Sequence, residues 1–168
     1  MVESINNKGE YALYENGKLL KYEGVSLIDG KKVVNSYLPF VKAIIEAANR
    51  DKVVLRINEG FRTWEEQFGF RYRNVIDKSK MNDRNYLITA DNGLFTPRTA
   101  KPGYSNHQNG NAYDFNVPPI VYKWMFDNAK TYGFIRTVES ERWHWQYLPQ
   151  LDKFSFVKNS DPTWDGMK

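Results

Sequence analysis

The sequence predicts an α+β fold, a small antiparallel sheet with helices packed on one side of it. Three observations carry this. The first 35 residues hold two hairpin dipeptides, three later segments have helical spacing or helix-start signals, and short alternating segments follow residue 110.

In "EYALYENGKLLKY" the pair Asn16-Gly17, and in "GVSLIDGKKVVN" the pair Asp29-Gly30, favour the type I′ turn, so residues 1–35 read as two hairpins. A helix follows over about residues 37–50, with Ser36 as N-cap and Leu38, Val41, Ile44, Ile45 and Ala48 on one face. "KVVLRIN" reads as a buried strand that breaks at Glu59-Gly60. Thr63 and Glu66 have capping-box spacing and open a second helix that runs to about Arg73. Residues 74–104 are rich in Asn, Asp, Gly, Thr and Pro and too long for a simple connector, which makes them a candidate substrate-facing loop. "NAYDFNV" alternates as a strand does. Pro118-Pro119 then starts a third helix that stops at Gly133. "FIRTV" and "WHWQYL" are the last two strands, paired as a hairpin around "ESE", and the tail from Leu151 has no clear period.

The 168 residues make one domain's worth of chain, with ordinary apolar and charged shares. There are no cysteines, which excludes disulfides, thiolate metal sites and a cysteine nucleophile; any zinc must be held by His, Asp or Glu. The net charge of +4 suits a polyanionic partner, but Lys and Arg are scattered singly apart from Lys31-Lys32. No basic run or nucleic-acid-binding signature appears, so no nucleic-acid partner is expected. The start "MVESINNKGEY" has no apolar signal core and no run of 18 apolar residues occurs. Neither Sec export nor membrane insertion is expected of the chain as given.

The chain has only two histidines, His107 in "PGYSNHQNGNAYDFNV" and His144 in "ESERWHWQYL". A lone histidine is more often a satisfied core or surface residue than a ligand. Here both lie at or beside predicted strands with carboxylates close by. With Asp114 they would make the three protein ligands that a catalytic zinc commonly takes. Glu141, three residues before His144, could serve as a base for a metal-activated water; Glu139 competes with it, and a solvated turn explains both glutamates as cheaply. Arg62 follows a strand and precedes a helix cap, where a cation could grip a carboxylate or an oxyanion, or simply be a surface arginine. Trp143 and Trp145 read mainly as packing residues, with one face able to look into the site. No nucleophile elbow, P-loop or dinucleotide fingerprint is present.

At these residues the chain resembles a known family. "SNHQNGNAYD" fits the S-x-H-x-x-G-x-A-x-D pattern of peptidoglycan peptidases that include D-alanyl-D-alanine carboxypeptidases of the VanY type and L-alanyl-D-glutamate endopeptidases of phages and bacteria. "ERWH" fits the E-x-x-H element of that family, and "GFRTWEEQ" resembles its arginine segment; all three stand in the family's order over roughly residues 58–147. Residues 1–35 and the tail after Leu148 lie outside it. The resemblance implies a hedgehog/DD-peptidase-like fold in a single zinc peptidase domain over residues 1–168. It implies that His107, Asp114 and His144 bind Zn2+, that Glu141 rather than Glu139 is the general base, and that Arg62 stabilises substrate or oxyanion. Ser105 would support the site through hydrogen bonds with Gln67 near it, and Gly110 would turn the chain between the first two ligands; beside these, Trp143 is a candidate supporting or substrate-binding residue.

The reading these features carry is a monomeric, zinc-dependent peptidase that hydrolyses amide bonds of peptidoglycan stem peptides, as carboxypeptidase or endopeptidase. A non-catalytic zinc-containing module that binds cell wall or protein is the alternative, and Glu141 and Arg62 argue against it because a pure binder needs neither. Work in the cell wall or periplasm without a Sec signal fits a phage endolysin, a dedicated export route or a trimmed chain.

Overall fold

In the computed structural model, which describes residues 4–73, 78–80, 82–89, 99–152 and 155–156, the two turn dipeptides behave as expected. Asn16 and Gly17 have φ of 51° and 77°, and Asp29 and Gly30 of 49° and 78°. Two successive left-handed residues define the type I′ turn. The first turn joins β1 (Tyr11–Glu15) to β2 (Lys18–Glu23), with a bulge between Leu13 and Tyr14, and the second joins β3 (Val25–Ile28) to β4 (Lys31–Val34). The hairpins are not appendages. Leu13, Val34 and Phe61 form a small buried cluster, Tyr14 packs on Trp64 at 4.8 Å between ring centroids, and Gly17 N–H donates to Gly103 O at 2.9 Å.

The first helix, α1 (Leu38–Arg50), starts one residue later than its sequence suggests and is not capped by Ser36. The N-cap position falls to Tyr37, which makes no side-chain cap bond, while Ser36 N–H donates to the Glu23 carboxylate at 2.6 Å. Pro39 in the first turn fixes helical φ there without losing a needed N–H. Val41, Ile44, Ala47 and Ala48 are the buried face, with Leu38 and Ile45 half-buried at its edge.

The central sheet has strand order β5-β6-β8-β7, antiparallel throughout: β5 (Ile57–Glu59), β6 (Ala112–Phe115), β7 (Phe134–Ile135) and β8 (His144–Tyr147). The strand expected over residues 52–58 is shorter and later, because its early backbone is bonded elsewhere. Val53 N–H donates to Ala48 O at the end of α1, and Arg56 N–H donates to the Asn116 side chain. Only from Ile57 does a ladder form, and Glu59, read as a breaker, belongs to it. The last two strands pair as expected, Phe134 opposite Tyr147.

Pleating assigns the two faces of this sheet. Tyr113, Phe115 and Trp145 point into the main core, where α1 and α4 (Pro119–Asn128) meet them through Ile44, Val121, Trp124 and Met125. Trp124 Nε1–H also donates to Asp51 at the end of α1, at 2.7 Å. Asp114 and His144 therefore emerge on the other face. α2 (Trp64–Tyr72) stands on that side, opened by the complete capping box that its sequence announces: Glu66 N–H donates to Thr63 Oγ1 at 3.2 Å and Thr63 N–H to the Glu66 carboxylate at 2.8 Å.

The segment 74–104 is not structureless. It contains a 3₁₀ turn, Lys78–Lys80, and a short helix, α3 (Arg84–Thr89), whose first turn is capped by Asp83 accepting from Asn85 N–H and Tyr86 N–H. Residues 74–77, 81 and 90–98 of the expected substrate-facing loop, and most of the tail after residue 152, lie outside the described residues. Among the described residues no helix is long and apolar enough to cross a membrane.

Two features yield tests. A Cβ on Gly60 would lie 2.1 Å from the backbone oxygen of Lys32, which also accepts the Phe61 N–H at 2.8 Å, so neither strand can retreat. Gly60→Ala should lower unfolding free energy by about 2 kcal/mol or more, read as a fall in urea midpoint at constant m. Burial tends to raise the Glu66 carboxyl, but the ion pair with Lys32 and the bonds from Thr63 outweigh it and hold it below its ordinary value of 4.5. A depressed folded pKa adds stability that is present above the unfolded value and lost as pH falls through the folded one. Glu66→Gln, which can keep the capping box, should therefore flatten the acid limb of a stability–pH curve below about pH 5.

Candidate metal centre and its pocket

The antiparallel register places Asp114 directly opposite His144 on one neighbour and opposite Glu59 on the other. Cross-strand partners share a face and sit within side-chain reach, so three polar side chains line up across one end of the sheet. His107 reaches the same place from a 3₁₀ turn, Asn106–Gln108, which Ser105 caps by accepting the His107 N–H on its hydroxyl at 3.3 Å. Gly110 then reverses the chain with φ of 89°, pressed so closely on Val34 that a Cβ would meet Cγ2 at 2.5 Å. Arg62 N–H donates to His107 O at 3.1 Å and ties that turn to the start of α2.

One ligand atom from each of His107, Asp114 and His144 falls within 4.8 Å of the other two. The two imidazoles meet edge-on, 5.1 Å between centroids. His107 Nδ1 lies 2.9 Å from Gly60 O, and a carbonyl oxygen can only accept, so Nδ1 carries the proton. Its Nε2 faces Asp114 Oδ1 at 3.2 Å. His144 Nδ1 points at the same carboxylate oxygen from 3.0 Å, while its buried Nε2 has no hydrogen-bond partner. Burial alone would raise the Asp114 carboxyl, but the charge and hydrogen bond of His107, then those of His144, hold it far below the usual carboxylate range. A buried carboxylate that stays ionised beside two imidazole nitrogens is a donor set suited to zinc.

The triad forms part of a pocket of about 200 Å³ that also takes in Arg62, Glu141 and Trp143. Glu141 Oε2 is 3.7 Å from His144 Nδ1, near the ligands yet not hydrogen-bonded to them. Glu139 is exposed and contributes only its backbone carbonyl, to Arg136. Arg62 is nearly buried; its Nη1 donates to Gln67 Oε1 at 2.8 Å, and the fully buried Gln67 donates in turn to Ala100 O at 2.6 Å. Its Nε has no hydrogen-bond partner and lies 3.9 Å from Glu59. Burial pushes the Arg62 guanidinium down from its usual value, with Glu59 and then Asp114 acting against burial; it stays a cation at physiological pH.

All eight residues singled out from the sequence line this one pocket: Arg62, Gln67, Ser105, His107, Asp114, Glu141, Trp143 and His144. The two tryptophans part company. Trp145 is 1% exposed in the core with its Nε1–H on Arg142 O, whereas Trp143 precedes β8 and is 40% exposed at the pocket. Other lining residues escape the sequence reading, among them Phe70, 4.4 Å from the Arg62 guanidinium, and Arg73, both of which read as ordinary helix residues. Glu59, outside the lining but opposite Asp114 on the ladder, carries a signal in its position three residues before Arg62.

Fold and donor set together define a mixed α and β protein whose pocket holds a His-Asp-His group that could bind one metal ion, with the Glu141 carboxylate and the Arg62 guanidinium in the same lining. The family model described as VanY, D-alanyl-D-alanine carboxypeptidase, matches residues 31–150, and the chain belongs to that family. It is 27% identical over 140 residues to a D-alanyl-D-alanine carboxypeptidase of Enterococcus faecalis, an alignment over 73% of this chain and 50% of the relative. The chain thus spans about half the length of that relative. Among solved structures it is similar to a zinc-bound variant of the vancomycin-resistance D,D-pentapeptidase VanY from a VanB-type cassette, with TM-score 0.56, 26% identity, and 75% of this chain and 79% of that one covered. It shares its fold with VanYB in complex with D-alanine-D-alanine, with TM-score 0.60, 24% identity, and 86% and 84% covered.

The Gln67 relay yields a test. Gln67→Ala would strand the Arg62 Nη1 donor and the Ala100 carbonyl in a buried site. Chemical denaturation should show a loss of about 1–3 kcal/mol.

Proposed function

We propose that this chain is a zinc-dependent peptidase of the carboxypeptidase type that hydrolyses the terminal amide bond of peptidoglycan stem peptides. The observation that carries the reading is the convergence of His107 Nε2 and His144 Nδ1 on Asp114 Oδ1, with Glu141 3.7 Å away. His107, Asp114 and His144 would hold the ion, which when bound supplies Lewis acidity toward water and a substrate carbonyl. The description of the family and of the Enterococcus faecalis relative, both D-alanyl-D-alanine carboxypeptidases, supports the bond chosen.

The remaining chemistry belongs to the chain's own side chains. Glu141 is the base: its carboxylate, close to the ligands but free of them, takes a proton from the attacking water and returns it to the departing amine nitrogen. Arg62 lines the pocket and neutralises charge that builds on the carbonyl oxygen or the terminal carboxylate of the substrate. Gln67 holds that guanidinium in place, Ser105 fixes the turn that aims His107, and Trp143 offers an exposed apolar wall to the peptide. Peptides of this kind reside in the cell wall, which is where we place the activity. We read residues 1–168 as one domain, because the N-terminal hairpins pack against Phe61, Trp64 and Gly103 of the family segment.

Treatment with a chelator should abolish release of D-alanine from a stem pentapeptide, and added zinc should restore it. Full-rate cleavage by metal-free protein would sink the proposal. Glu141→Gln should lower kcat by about 10²–10⁴-fold while zinc content stays at one per chain. Mass spectrometry of the products separates the bonds: loss of a terminal D-alanine fits the carboxypeptidase, and release of L-alanine at the sugar end would make the chain an endopeptidase.

A further inference from the structure

The segment between β7 and β8 carries Glu141, and a single buried side chain organises it. Arg136 is 7% exposed, and its Nη2 donates to two carbonyls of that segment, Val138 O at 3.2 Å and Glu139 O at 2.6 Å. Its Nη1 donates to the Tyr122 hydroxyl of α4 at 3.1 Å, and the guanidinium also lies 5.5 Å from the Phe156 ring. No ion pair to a carboxylate is recorded for it among the described residues. A buried cation without a carboxylate is costly, and the carbonyl dipoles of one turn are what this one has been given instead.

Those two carbonyls lie on the path to Glu141. Val138 O accepts the Glu141 N–H at 3.3 Å as well as the Arg136 bond, and Glu141 O accepts the His144 N–H at 3.2 Å. Two successive turns thus run from Val138 to His144, and the Arg136 fork clamps the first of them. A fork is needed because Nη2 serves two oxygens at once while Nη1 reaches α4. A lysine ammonium carries the charge but cannot reproduce that planar geometry. Thr137 Oγ1 donates to Gln146 of β8 on the same segment, so the clamp works against a fixed sheet.

We infer that Arg136 is a positioning residue for Glu141: it sets the turn that holds the base carboxylate beside the metal pocket, without touching substrate itself. This rests on the assignment of Glu141 above. It goes beyond that reading, because nothing in the three sequence motifs includes Arg136.

The test is a double-mutant cycle on the zinc-loaded protein, with a D-alanyl-D-alanine-terminated stem pentapeptide as probe. Arg136→Lys should lower kcat by about 10–100-fold, the cost of displacing a catalytic group by an ångström or so, with KM changed less than threefold. In the Glu141→Gln background the same substitution should cost nothing further, since the group it positions is gone. A purely structural role would lower both backgrounds by the same factor, and that result would overturn the inference. An unchanged kcat for Arg136→Lys while Glu141→Gln is inactive would overturn it too. Hydrogen exchange gives a readout independent of turnover: the amides of Glu141 and His144 should exchange faster in Arg136→Lys, and unchanged protection counts against the clamp. Tyr122→Phe removes only the Nη1 anchor and should give a weaker form of the same pattern, which covers the case in which Arg136→Lys folds poorly. Full activity of Glu141→Gln would fell the base assignment itself, whatever Arg136 does.

Discussion

The register of three antiparallel strands, with Glu59 opposite Asp114 and Asp114 opposite His144, is the constraint on which the site depends. A slip of one residue would turn Asp114 and His144 into the core and bring Tyr113 and Trp145 out. The register cannot slip because the opposite face is filled: Tyr113, Phe115 and Trp145 are locked against α1 and α4 in the main cluster. Hydrophobic packing on one side of the sheet therefore fixes the position of Asp114 and His144 on the other. His107 is added to this row by a backbone interaction, its Nδ1–H on Gly60 O, which also selects the tautomer that leaves Nε2 free.

The N-terminal hairpins enter the same logic, the first from outside the matched residues 31–150 and the second across their start. Gly60 lies so close to Lys32 O that β4 and the end of β5 share one backbone seam. The tip of the first hairpin bonds Gly103, whose own N–H donates to the buried Gln108 beside His107 at 2.7 Å. A chain of short contacts thus runs from the first hairpin turn to the turn that carries His107.

Two buried arginines show how charge is handled around this centre. Arg62 is balanced by Glu59 and by the amide of Gln67, and its buried Nε has no hydrogen-bond partner. Arg136 is spent on two carbonyls and the Tyr122 hydroxyl, and its Nε too is buried without a partner. The difference is one of surroundings. Arg62 lines the pocket, where its charge can meet a developing anion, whereas the Arg136 guanidinium is bonded to the segment that carries Glu141 and holds its shape.

Much of this was legible in the sequence because it is local. The Asn-Gly and Asp-Gly turns, the Thr63–Glu66 capping box and the Pro118-Pro119 helix start act within a few residues, and the S-x-H-x-x-G-x-A-x-D and E-x-x-H spacings encode a turn and a strand that hold their ligands at fixed offsets. The cap of α1, the late start of β5 and the short helix inside residues 74–104 were not legible, since each turns on a distant partner or a side chain whose competing role is invisible in one dimension. Ser36 does not cap α1 because its side chain, as well as its N–H, bonds Glu23 on a different strand. Trp143 and Trp145 look alike in sequence, and only the end of the ladder at His144 sends one to the pocket and the other to the core. Residue types and spacings determined what the site is made of. The family pattern already pointed to Glu141 and Arg62; tertiary structure alone decided which tryptophan faces the pocket and how His107, Asp114 and His144 converge, because those outcomes depend on strand register and on what fills the opposite face of the sheet.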